Sequence, residues 1–129
     1  MLLEGFKVIS LVSGLPSLSV TKNGAAFNKA SVIKMEYADK VLLMINEKDK
    51  LIAIQKCEDQ TPNATPFYKE QKNVMVRWNN SDLLATLEKM MGWDVKRNGY
   101  KITGEFFSDE CALIFDLKDA TQMNEAEED

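Results

Sequence analysis

The chain has 129 residues, 45% of them apolar and 28% charged, with a formal net charge of −4. That length fits one domain, and the composition suits a chain that buries a core without a metal or disulfide staple. Histidine is absent, which excludes Ser-His-Asp and Cys-His catalysis, imidazole bases and His-ligated metal sites.

Residues 1–16 form a lead-in segment. Phe6, Val8, Ile9, Leu11, Val12 and Leu15 suit a strand or a short helix equally, and Gly14 and Pro16 end it. Glu4 precedes any positive charge and Lys7 breaks the apolar run, so the segment is not read as a signal peptide. No apolar stretch approaches the ~18 residues of a membrane span. A cytoplasmic protein is expected, with Cys57 and Cys111 as reduced thiols. The sequons at Asn63 and Asn79 are then chance matches.

A first unit occupies 17–57. Leu18-Ser19-Val20-Thr21 alternates apolar and polar residues, as a half-buried strand does. Asn23-Gly24 is a turn dipeptide that leads to a helix capped by Asn28, with Phe27 and Val32 as a hydrophobic staple. The helix runs over about 29–35, with Ala30, Ile33 and Tyr37 on one face. The continuous apolar run Val41 to Ile45 reads as a strand buried on both faces. A polar loop over 46–49 returns to a partner strand, Leu51 to Gln55, with Ile52 and Ile54 on one face.

Residues 58–72 lack periodicity and hold Pro62 and Pro66, so they read as a linker. A second unit, 73–120, repeats the order. Val74 to Trp78 is a strand, and Asn79-Asn80-Ser81 supplies a turn and a helix cap. Leu83, Leu87 and Met90 share a helix face that Gly92 terminates. Asn98-Gly99 is a turn. Tyr100 to Phe107 and Ala112 to Leu117 form an antiparallel pair, with a bulge expected at Gly104. Residues 121–129 read as a disordered acidic tail. The expected fold is α+β: two β-α-β-β units related by a pseudo-two-fold axis, mainly antiparallel, with two short helices. Such a chain is a fused pseudo-dimer, and it is also able to pair as a homodimer.

Charge is uneven. Residues 17–57 carry seven lysines against four acids, whereas 73–120 carry six bases against eight acids. The basic candidates for phosphate contact are Lys22, Lys29 and Lys34, with Arg77 and Arg97 from the second half. Trp78, beside Arg77, is a candidate for base stacking, although its place at the end of an apolar strand suits packing. Trp93, just past the helix stop, suits packing. The acids Asp109, Glu110, Asp116 and Asp119 sit at strand ends and hairpin tips, where solvated charge is expected. The cysteines have no base partner in sight, and the methionines fall at apolar-periodic positions. No GxGxxG, GxxxxGK[ST] or paired CxxC occurs, so no catalytic residue, cofactor or metal is expected.

The stretch LSVTKNGAAFNKASVIKMEYADKVLLMINEKDKLIAIQKC, residues 18–57, resembles the AbrB/MazE-like swapped-hairpin transcription factors. Ala38-Asp39-Lys40-Val41 stands where that family has a Gly-Asp-Lys/Val-type step. The resemblance implies a non-enzymatic DNA-binding regulator that contacts phosphates through Lys22, Asn23, Lys29, Lys34 and Arg77. Ala38 replaces the family's glycine, and lysines stand where the family places arginines. An Arg-to-Lys exchange loses the bidentate geometry that base reading uses. The other reading is a protein-interaction or phage-type accessory module with no nucleic-acid affinity.

Overall fold

The computed structural model describes residues 2–6 and 14–123. Its elements in chain order are β1 (Ser17–Thr21), β2 (Gly24–Phe27), α1 (Lys29–Lys34), β3 (Lys40–Asn46), β4 (Leu51–Lys56), β5 (Thr65–Pro66) and β6 (Val76–Trp78). Then follow α2 (Ser81–Met91), β7 (Gly99–Phe107), β8 (Ala112–Asp116), a 3-10 turn (Leu117–Asp119) and β9 (Thr121–Met123). The fold is α+β. The strands make one sheet in the order β5-β3-β4-β8-β7-β1-β2-β6, with β9 beside β7, and every pairing is antiparallel. The sheet curls until its two end strands meet, where Trp78 Nε1 donates to the Pro66 carbonyl at 3.0 Å.

Alternation along the strands builds the core. Leu18, Val20, Val41, Ile52, Ile54, Ile102, Leu113 and Phe115 are all buried, and they share one cluster with Val32, Met35, Leu83 and Leu87. Phe27 is the hub, with ring centroids 5.5 Å from Phe67, 5.0 Å from Trp78 and 5.7 Å from Phe115. Edge-to-face contacts of this kind add to the area that the rings bury. The Phe27–Val32 staple thus forms part of the core.

Several local expectations need correction. Gly24–Phe27 is a strand, not a turn running straight into a helix. Gly24 has φ +125, and a Cβ there would lie 2.5 Å from the Trp78 carbonyl, so the close approach of β2 to β6 requires glycine. The first helix spans six residues and buries Ala30, Ser31 and Val32. Tyr37 lies beyond the helix at φ +54 and is exposed, so it does not share a face with Ala30 and Ile33. β3 is buried on one face: Val41 is inside, whereas Met44 is 42% exposed. Gly104 shows no bulge: it lies within β7 and pairs one-to-one with Phe115 at the start of the β7–β8 ladder. Within the expected linker, Thr65–Pro66 pairs with β3, and the Phe67 and Tyr68 amides donate to the Asp39 and Ala38 carbonyls. Thr121–Met123, expected as tail, pairs with β7. Of the expected tail, 124–129 lie outside the described residues, as do residues 1 and 7–13 of the lead-in.

Candidate nucleic-acid interface

Two turns meet at one end of the sheet. The first joins β1 to β2 and carries Lys22 and Asn23, both exposed. The second precedes β7, and its shape is set by α2. Gly92 stops that helix in the left-handed region, with its amide donating to the Glu88 carbonyl at 2.7 Å. Trp93 then stacks on Tyr100, with centroids 4.2 Å apart and planes 8° from parallel. Val95 is buried, and its amide donates to Glu88 Oε2 at 3.1 Å. The Asp94 side chain accepts from the Lys96 amide, and the Asp94 carbonyl accepts from the amides of Arg97 and Asn98. A turn anchored on both sides in this way leaves Lys96 and Arg97 facing solvent.

The β1–β7 register brings the two turns together. Val20 pairs with Tyr100, and a Cβ built on Gly99 would stand 3.2 Å from Thr21 Cγ2. Lys22 follows Thr21, and Asn98 precedes Gly99. Lys101, exposed on β7 opposite Ser19, is two residues further along. The turn bearing Lys22 and the turn bearing Lys96 and Arg97 therefore lie at the same end of the β1–β7 pair, with Lys101 two residues into β7 from Gly99. The Asp94 carboxylate stands 3.6 Å from Arg97 Nε, and both side chains are largely exposed, so water screens the pair. Lys96 and Lys101 were missed in the sequence reading. The available signal was a basic pair immediately before a turn dipeptide.

The remaining basic candidates lie elsewhere. Lys29 opens α1 at the far end of β2 from Lys22, roughly 13 Å of strand away. It edges a hollow with Asn28, Asn73, Val74 and Met75. The Lys34 ammonium sits 5.5 Å from the Phe106 ring centroid, a cation–π contact on β7. Arg77 is half-buried mid-strand in β6, opposite Ala26. The Trp78 ring packs edge-on against Phe27 and Phe67. Its indole N–H is already used at Pro66. Of the expected residues, Lys22, Asn23 and Arg97 are thus the ones carried at this end of the sheet.

Two other places on the molecule group polar or titratable side chains. A cleft of about 530 Å³ lies between β3, β6 and α2, with Leu43, Ile45, Trp78 and Leu83 as apolar walls and Thr65, Asn79 and Thr86 among its polar lining. At the end of β4, Lys56 Nζ meets Glu36 Oε1 at 2.9 Å, and the Cys111 thiol lies 3.8 Å from the same oxygen. The hydrogen bond and charge of Lys56 hold the Glu36 carboxyl below the usual carboxylate range. Burial, followed by the Glu36 charge, pushes the Cys111 thiol up, and a thiol so placed stays protonated and weakly nucleophilic at neutral pH. Among the described residues no group of three or more His, Cys, Asp or Glu side chains is placed to hold a metal ion. No helix there is long and apolar enough to cross a membrane.

Scans against protein-family models, the curated proteins and the solved structures each find no match to this chain.

Proposed function

We propose that this protein is a non-enzymatic nucleic-acid-binding protein, built of two β-α-β-β units of which the first is AbrB-like, that grips phosphates with Lys22, Lys96, Arg97 and Lys101. The observation that carries the reading is the approach of Thr21 to Gly99 in the β1–β7 register, which leaves a basic turn of each half at the same end of that strand pair. Phosphates need convergent, solvent-facing cations on an anchored backbone, and these two turns supply them. Asn23 lies in the first turn and adds a polar side chain for positioning.

The two-unit reading is supported by the order of the strands. The runs β2-α1-β3-β4 and β6-α2-β7-β8 follow the same sequence of elements. Like strands meet: β2 pairs with β6 and β4 with β8, both antiparallel, as a two-fold axis between equivalent halves requires. β1 beside β7 and β5 beside β3 complete the same relation.

The test is fluorescence anisotropy of labelled duplex DNA against salt. Four cations on phosphates predict a log–log slope of about −3 to −4. Lys22→Glu and Arg97→Glu, both exposed, should each weaken binding about tenfold at low salt without moving the melting temperature. Absence of binding at low salt contradicts the reading. It would favour the protein-interaction alternative, for which the apolar-walled cleft between β3, β6 and α2 is the specific observation.

A further inference from the structure

The basic end carries an aromatic pair that phosphate binding leaves unused. Trp93 and Tyr100 stack with centroids 4.2 Å apart and planes 8° from parallel. The rings around Phe27 instead cross at 59° to 76° and belong to the core or pack against it. Trp93 and Tyr100 are each only half-buried. Both are held by backbone bonds. The Trp93 amide donates to the Glu88 carbonyl at 3.2 Å, one residue past the Gly92 helix stop. Tyr100 pairs with Val20 of β1 on one side and with Gln122 of β9 on the other. The ring pair is therefore preorganised, and a ligand that stacks on it pays little for ordering it. Lys96 and Arg97 follow Trp93 in the same turn, and Lys22 lies in the turn at the same end of the β1–β7 pair. Alternation along β7 sends Lys101 to the face opposite Tyr100.

We propose that the ligand of this end is a single-stranded nucleic acid, which stacks an unpaired base on the Trp93–Tyr100 pair and lays its phosphates along Lys22, Lys96 and Arg97. The inference rests on reading these turns as the phosphate site and adds which nucleic acid they take. A nearly parallel ring pair is the arrangement that a base extends as a further layer. Bases inside a duplex already stack on one another and show a protein their edges, whereas those of a single strand offer their faces. The small number of cations points the same way. Three or four phosphate contacts bind weakly on their own, and stacking supplies affinity that charge does not. The turns bring positive charge and the rings an apolar face, the pairing that a strand of phosphates and bases complements.

The test compares three labelled probes by anisotropy on the full chain at ~50 mM salt. They are an oligothymidylate of about 12 nucleotides, an abasic phosphodiester strand of the same length, and a duplex of the same length closed by a loop at each end. The oligothymidylate should bind about tenfold tighter than either of the others, with a salt slope like that of the abasic strand. Equal affinity for the two strands overturns the stacking while leaving the phosphate site intact. Tighter binding of the closed duplex overturns the single-strand assignment and again leaves the phosphate site. Binding of none of the three defeats both. Two variants then locate the base. Trp93→Ala should remove the difference between the oligothymidylate and the abasic strand, and Trp93→Phe, which keeps a ring, should preserve most of it. A difference that survives Trp93→Ala in a folded chain places the base elsewhere and overturns the proposal. If Trp93→Ala fails to fold, Trp93→Phe decides with Tyr100→Leu: loss of the difference in Tyr100→Leu but not in Trp93→Phe supports the platform, and an undiminished difference in both rejects it.

Discussion

Phe115 lies over Gly104, and a Cβ on that glycine would stand 2.6 Å from the ring's Cε1. The ring is itself buried against Phe27, so it has little room to yield. A cross-strand aromatic covering a glycine lets a strand curve while keeping its register. Gly104→Ala should therefore destabilise by about 1–3 kcal/mol, as overpacking does, visible as a lower denaturation midpoint with an unchanged m-value. A neutral substitution would show that the ring moves freely. In the sequence a glycine inside a strand announces a local need, but which need is met depends on a partner eleven residues away. Tyr37 makes the same point. Its spacing suits the helix face of Ala30, but the chain leaves the helix two residues earlier, at Met35.

At the scale of elements, the helix caps were legible because capping is local chemistry. Asn80 Oδ1 accepts the Leu83 amide at 2.9 Å, and Gly92 ends the same helix. Asn28 does more than cap. Its Oδ1 accepts the amides of Ser31 and Ser17, both at 3.0 Å, and its Nδ2 donates to the Leu15 carbonyl at 2.8 Å. It ties α1 to the start of β1 as well as closing the helix. Asn80→Ala should cost about 1 kcal/mol, the usual value of a cap, and Asn28→Ala about 2–3 kcal/mol because several partners lose their bonds together. Equal losses in thermal melts would reduce Asn28 to an ordinary cap. β2 escaped notice because Gly24-Ala25-Ala26-Phe27 has neither alternation nor β-branched residues. Its strand character comes from being held between β1 and β6. β5 was hidden for a related reason: a two-residue strand inside a polar run has no period to read.

For the whole molecule, the mainly antiparallel α+β class followed from turn signals and alternation. The placement of the basic turns did not, because it is a property of strand pairing. Lys22 and Lys96 are 74 positions apart in the chain, and the β1–β7 register brings the turns that carry them to the same end of that strand pair. Lys22 and Lys29 are seven apart and end at opposite ends of one strand. A formal charge of −4 therefore does not argue against an anion-binding end, since the excess acids lie in one terminal stretch.

The most direct measurement is a two-dimensional amide NMR titration of the labelled chain with a short DNA duplex at low salt. Shifts should concentrate at residues 21–24 and 95–101, drawn from both halves, and should fade as salt is raised. Shifts centred on Lys29 and Asn73, on the cleft between β3 and α2, or nowhere in the chain would contradict the joining of the two turns into one phosphate-binding end.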